Sequence, residues 1–264
     1  MVVRPLQRFP RFIRYIVRRS VTGYYPLRVR QALQDRRRLR RIRRERPADA
    51  PDPLVSVVIA TYNRSGLLLE RAIPSALRQT HGNLEVVVVG DCCIDDTAQR
   101  MANLGNPRVR FLDLPERGAY PTDPRKLWQV AGVVPMNKAV ELARGEWIAP
   151  LDDDDAFSDD HVAALLEAAR AQGAEMAYGV IEMEQPDGTF RPLPSRRLRL
   201  GNVTRMALLY RKDIAFIEND LASWKWDEPA DWALVRRMRD AGVRIAFVDK
   251  VLGKHFADRR GREA

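Results

Sequence analysis

The chain has 264 residues, of which 45% are hydrophobic and 30% charged, and a formal net charge of +10. This composition fits one sizeable domain with an appendage, or two small domains, and no apolar run reaches the roughly 18 residues that span a bilayer. The charge is uneven: residues 1–50 hold 16 Arg, no Lys and 3 acids, and the rest of the chain is slightly acidic.

Residues 1–53 read as a basic arm and linker. Leu6 to Arg19 interleaves aromatic and aliphatic residues with arginine, and Leu27 to Arg46 reads as a helix that is basic nearly all round. A solvated tail, attachment to an anionic membrane surface through residues 1–46, and contact with nucleic acid all suit this chemistry, nucleic acid coming last. The start of the chain lacks the apolar core and cleavage site of a signal peptide. The only cysteines, Cys92 and Cys93, are adjacent, where a disulfide would be strained, and look like small turn residues. The expected location is the cytoplasm, with peripheral attachment at the inner face of the membrane as a further expectation.

From Leu54 the pattern alternates. Leu54 to Ala60 is an apolar, β-branched strand. Ser65 can cap a helix to about Gln79, kinked by Pro74. Leu84 to Val89 is a second buried strand, Asp95 or Asp96 can cap a helix to about Leu104, and Val109 to Leu112 is a short third strand. After a long polar stretch, Val134 to Ala143 is helical, and Trp147 to Leu151 is a fourth strand that runs into Asp152-Asp153-Asp154-Asp155. This alternation predicts an α/β fold with a mostly parallel, Rossmann-like sheet and helices on both faces. Further on, His161 to Gln172 is helical, Met176 to Met183 and Thr189 to Leu193 flank a Pro186-Asp187-Gly188 hairpin signal, and Ala230 to Ala241 is a helix stopped by Gly242. A last strand is expected at Ile245 to Val248, in a smaller mixed subdomain.

Three polar clusters fall at strand ends: Thr61-Tyr62-Asn63-Arg64, Asp91, and the aspartate run. In a parallel sheet these ends share one edge, where open α/β sheets bind ligands. Four successive carboxylates repel one another, and a divalent cation would relieve that repulsion and grip a phosphate. An aromatic ring, an isolated acid and such a group suit a nucleoside diphosphate, although neither G-x-G-x-x-G nor a Walker-type phosphate loop occurs.

These segments, taken in order, resemble the family 2 glycosyltransferases of the GT-A fold. The resemblance runs from Val55 to about Phe256. It is carried by Val57 to Arg64, Ser75 to Thr80, Glu85 to Asp91 with Asp95-Asp96-Thr97, and Ala143-Arg144-Gly145-Glu146-Trp147-Ile148 leading into the aspartates. It implies a glycosyltransferase domain over 54–257, with a nucleotide half to about 155, an acceptor half beyond, and a tail at 258–264. It also implies transfer from a nucleotide-diphosphate sugar (UDP-, GDP- or dTDP-linked) to an acceptor hydroxyl with inversion, in polysaccharide or glycoconjugate synthesis. The acceptor would be a glycan, a lipid-linked or a small molecule. Thr61, Tyr62, Arg64, Asp91, Asp152 and Asp153 would bind the nucleotide. Asp154 and His255 would hold Mg²⁺ or Mn²⁺, and Asp231 would be the catalytic base.

The chain departs from the pattern at three positions: Met136 stands where the family has an arginine, Ala230 where it has Glu, and Gly90 where it often has an acid. Arg125 or Lys126 is the expected substitute for the arginine. Met136 and Ala230 motivate the competing expectation of a nucleotide-sugar-binding or scaffold protein without catalysis.

Overall fold

The computed structural model describes residues 24–193 and 196–257; the Leu6 to Arg19 segment and the tail at 258–264 lie outside the described residues. A nine-stranded sheet forms the centre. β1 (Val55–Thr61), β2 (Leu84–Gly90), β3 (Val109–Asp113) and β4 (Trp147–Asp152) run parallel in the order β3-β2-β1-β4. Val55, Val57 to Ile59 and Val86 to Val89 are buried on both sheet faces. That is why their pattern is continuous rather than alternating. Each such side chain contributes about 1.5–3 kcal/mol by leaving water.

Past β4 the sheet turns mixed. β8 (Leu208–Arg211) pairs antiparallel with both β4 and β6 (Met176–Glu184). β9 (Ile245–His255) runs parallel to β6, and β5 (Ala156–Phe157) closes that edge. β7 (Phe190–Pro192) folds back on β6 through a turn in which Gly188 takes a φ of 80°. The expected mostly parallel α/β sheet with a mixed second half is present.

Several elements differ from expectation, each for a local reason. The helix expected over Ser65 to Gln79 is broken into α2 (Ser65–Leu67), five π-helical residues Leu68–Ala72, and α3 (Ile73–Leu77). Pro74 has no N–H to offer residue 70 and its ring crowds that carbonyl, so a widened turn relieves the clash. Ser65 is the first helical residue and not the cap: its N–H lies 3.4 Å from Asp95 Oδ2, and its hydroxyl donates to Asp96. α4 (Thr97–Asn103) follows, with Asp95 Oδ1 accepting from the Thr97 N–H at 3.1 Å.

β5, β8 and α5 (Pro124–Val130) have no expected counterpart. The two strands are too short to show a period, and α5 hides in the polar stretch, started by Asp123, which accepts from the Lys126 N–H at 3.0 Å. β9 continues well past Val248, through register shifts where it pairs with Gly179 to Glu182. α6 (Val133–Leu142) packs on β1 and β2, α7 (His161–Ala171) on β6 and β9, and α8 spans Ala230–Ala241.

The basic segment is not a solvated tail over its helical part. α1 (Tyr24–Glu45) lies on α8, with Tyr24 and Leu39 buried. Arg28 Nε donates to Asp240 at 2.7 Å, Asp35 accepts from Arg237 at 2.7 and 3.0 Å, and Arg43 grips Glu175 at 2.6 and 2.7 Å. Arg46 bridges Glu175 at 3.0 Å and Asp213 at 2.6 Å. Apart from Asp35, the acids that fix the helix come from the α/β body, so composition of the arm alone could not disclose the docking. Among the described residues, no helix is long and apolar enough to cross a membrane.

Candidate active site

Strand register brings the polar clusters together. Ala60 pairs with Asp152, Thr61 with Gly90, and Gly90 with Asp113, so four strand ends stand side by side. From β1, the Thr61 hydroxyl donates to Asp153 Oδ2 at 2.7 Å. Asn63 takes a left-handed φ of 52°, which Asn tolerates, and its Oδ1 accepts the Ile94 N–H at 2.8 Å, tying the loop after β1 to the loop after β2.

The four aspartates divide by partner. Asp152 Oδ atoms accept no hydrogen bond among the described residues, while its carbonyl accepts the Asp155 N–H at 3.2 Å and closes the turn. Asp153 is buried between Thr61 and Arg64, whose Nη1 lies 3.1 Å from Oδ1. Asp154 pairs with the same Arg64 nitrogen, and its carbonyl accepts from Arg71. Asp155 is fully buried, 2.7 Å from His255 Nδ1, and accepts the Phe256 N–H at 2.9 Å. It therefore braces the end of β9 against the turn and orients the imidazole, as a carboxylate behind a metal-ligating histidine does.

Burial pushes the Asp153 carboxyl up to about 7, helped by the charges of Asp154 and Asp152 and opposed by Arg64 and Thr61. Burial also raises Asp154 and Asp155, opposed chiefly by Arg64 and by His255 respectively. His255 would be lowered by burial, but the bond to Asp155 and the surrounding carboxylates raise it to about 9. The turn thus holds more negative charge than its two side-chain partners neutralise.

Asp91 is 2% exposed and accepts the Gly118 N–H at 3.0 Å. Arg117 approaches it at 3.9 Å and lays its guanidinium 3.9 Å from the centre of the Tyr62 ring. Tyr62 and Asp91 are thus joined by a residue the sequence did not single out. Gly90 has a neighbour of the same kind: a Cβ there would overlap the Asp113 carboxylate, which accepts the Cys93 N–H at 3.1 Å. A carboxylate from β3 thus fills the space that a side chain at position 90 would need.

Asp231 stands in the first turn of α8 and accepts the Trp232 N–H at 2.6 Å. Burial raises its carboxyl, Arg205 opposes, and the Asp152 charge adds to the rise, which puts Asp231 within electrostatic reach of the aspartate turn. Arg64, expected along a nucleotide base, is directed at Asp153 and Asp154 instead. Met136 is buried in the core, and Arg125 and Lys126 face Asp227 and the Trp224 ring. Among the described residues, the arginines beside the aspartates are Arg64 and Arg71. Arg71 also stacks 3.8 Å from the Phe256 ring centre, which clamps the turn to the end of β9. Arg71, Arg117 and Asp113 carry no motif signal, because they reach the site through side-chain length from unrelated segments.

Among the described residues, no three His, Cys, Asp or Glu side chains converge as a ready-made metal cage. A carboxylate with a histidine beside it nonetheless matches how hard cations are held next to phosphates: one or two protein ligands, with the remaining positions filled by substrate oxygens and water.

The family model for Glycosyl transferase family 2 matches residues 56–121 and 133–237, which include every one of these strand ends except His255. The chain belongs to that family. Among family relatives, the succinoglycan biosynthesis protein ExoO of Rhizobium meliloti is 35% identical over 176 residues, 66% of this chain and 45% of the relative, so the chain spans less than half of that protein. Among solved structures, the mannosyltransferase PcManGT from Pyrobaculum calidifontis, in complex with GDP-Man and Mn²⁺, superposes with a TM-score of 0.60 at 18% identity over 94% of this chain and 70% of that one. S. aureus TarS 1–349 in complex with UDP gives 0.60 at 19% identity, covering 77% and 60%. At such identities these structures establish the shared GT-A glycosyltransferase fold.

Proposed function

We propose that the chain transfers a sugar from a nucleoside-diphosphate sugar to an acceptor hydroxyl, with inversion, in the assembly of a polysaccharide or other glycoconjugate. The reading is carried by one observation: Thr61 to Arg64, Asp91 and Asp152 to Asp154 follow neighbouring strands and share one sheet edge. The solved relatives bound to UDP and to GDP-Man support a donor of this class.

In this reading Tyr62, Arg117 and Asp91 hold the base, with Asp91 accepting its ring N–H, and Asp152 and Asp153 lie along the ribose. Asp154 and the Nε2 of His255 would hold Mg²⁺ or Mn²⁺, which supplies charge stabilisation to the departing diphosphate. Arg64 releases Asp154 on donor binding and turns its charge to the nucleotide. Asp231 removes the proton from the acceptor hydroxyl as its oxygen attacks the anomeric carbon and the nucleoside diphosphate leaves from the opposite face. A carboxyl raised by burial is better matched to that task than an ordinary one. The basic N-terminal segment places the enzyme at the inner face of the cytoplasmic membrane, where a lipid-linked or growing glycan acceptor would be met.

The test is calorimetric titration with UDP, GDP and dTDP, with and without Mn²⁺, paired with donor turnover. Wild type is expected to bind at least one nucleotide only with Mn²⁺, Asp154→Ala to lose that dependence, and Asp231→Asn to bind normally without transferring. Failure of all three nucleotides to bind in the presence of Mn²⁺ would end this reading. Full turnover by Asp231→Asn would remove the base assignment.

A further inference from the structure

The docking of α1 sorts its arginines onto two faces. Tyr24, Arg28, Asp35 and Leu39 recur at steps of four, seven and four residues, which is one stripe of a helix, and this stripe, with Arg46 just past the helix end, meets α8 and Glu175. Tyr24 adds a buried hydroxyl bond to Glu228 at 2.9 Å, and Glu228 also accepts from Arg236. Arg36 and Arg38 at the margins reach the Asp240 carbonyl and the Phe216 ring. The helix is therefore fixed in rotation, and the composition of its opposite face is decided.

That face carries Arg30, Arg37, Arg40, Arg41 and Arg44, all exposed and without an ion-pair or hydrogen-bond partner among the described residues. Its N-terminal half adds Val29 at 59% exposure, Leu33 at 52% and, at the margins, Leu27 at 56% and Tyr25 at 43%. No element of the α/β body covers them. Five like charges within four turns repel one another, and each exposed apolar side chain forgoes the gain of burial, so the face is unfavourable in water alone. Both are relieved at one kind of surface, a layer of phosphates over hydrocarbon. A duplex backbone would answer the arginines and leave Val29, Leu33 and Leu27 in water.

We propose that this outer face of α1 is a binding site for the anionic head groups of a lipid bilayer, with Val29, Leu33 and Leu27 entering the interface and Arg30, Arg37, Arg40, Arg41 and Arg44 contacting phosphate. The proposal deepens the membrane-side placement above and is independent of the transfer chemistry. Because the inner face of the same helix holds α8, whose first turn carries Asp231, lipid contact would also set how the active-site domain stands on the membrane.

The experiment is co-sedimentation of the full chain with vesicles of phosphatidylcholine alone and of phosphatidylcholine mixed with phosphatidylglycerol. Retention on the mixed vesicles only is expected, falling tenfold or more in Arg37→Ser/Arg41→Ser/Arg44→Ser and also falling in Val29→Ser/Leu33→Ser. The exposed triple Arg144→Ser/Arg197→Ser/Arg199→Ser removes the same charge elsewhere and is expected to bind as wild type does. Unchanged melting of each variant separates lost binding from lost folding. Equal loss in both triples would overturn the site in favour of bulk charge. Retention by the α1 triple equal to wild type, or tighter retention of wild type on duplex DNA than on vesicles at the same salt, would overturn the proposal outright. Donor turnover in solution is expected to be unaffected throughout, so its absence in wild type would count against the transfer chemistry and not against this surface.

Discussion

Two buried carboxylate sites in this molecule have opposite electrostatics. Glu175 has no exposed side-chain surface; burial alone would raise it, but Arg43, the backbone N–H of Arg244 and Arg46 bring it down to about 2. Asp153 is buried too, and burial pushes it up to about 7, with the charges of Asp154 and Asp152 adding to the rise and a shared Arg64 opposing it. One site is saturated with donors and cements α1 to the body. The other is left short of positive charge, which is the condition in which an incoming cation and diphosphate gain most. A charge cluster reads as structural when its countercharges come from the protein, and as functional when they must come from outside.

The contrast can be broken from either side. The largest effect is expected at the undersupplied site: Asp231→Asn should lower transfer by about 10²–10⁴-fold with little change in melting, as measured by donor turnover and calorimetry. At the saturated site the loss should fall on stability. Glu175→Ala takes the carboxylate from Arg43 and leaves Arg46 with Asp213 alone, and should cost about 3–5 kcal/mol in urea unfolding, with nucleotide binding by the folded fraction unchanged.

Acid gives a third, graded test. The folded carboxyl of Glu175 lies below its ordinary value of 4.5, so its contribution is full above pH 4.5 and is lost as the pH falls towards 2. Unfolding measured across that window should lose up to about 3 kcal/mol more in wild type than in Glu175→Gln. Mn²⁺ with a bound nucleotide at a hundredfold excess over its Kd should stabilise wild type by about 2.7 kcal/mol, and Asp154→Ala by much less, as read from thermal unfolding. The smallest effect should come from the exposed Arg196–Asp249 pair, where Arg196→Ala is expected to change stability by less than about 0.5 kcal/mol.

What could be read from the sequence follows the same division. β1, β2, β4 and α8 were legible because their residues repeat a pattern long enough to show burial, and the strand ends then place Thr61, Asp91 and Asp152 to Asp154 on one edge. The brace from Asp155 to His255 was only partly legible, since β9 reaches His255 through polar residues that hide the strand. Arg71, Arg117 and the docking of α1 were not, because each depends on long side chains meeting acids, rings or carbonyls from remote segments. Periodicity reports which face is apolar, and it is silent on which arginine finds which acid.

Gly90 and Asp113 carry that point to the paired ends of β2 and β3. Because a side chain at 90 would collide with the Asp113 carboxylate, the two positions share one volume and admit one acid between them. Restoring an acid at 90 alone should then be penalised, and pairing Gly90→Asp with Asp113→Gly should be tolerated. The two positions therefore act as one: what can stand at 90 is decided by what stands at 113.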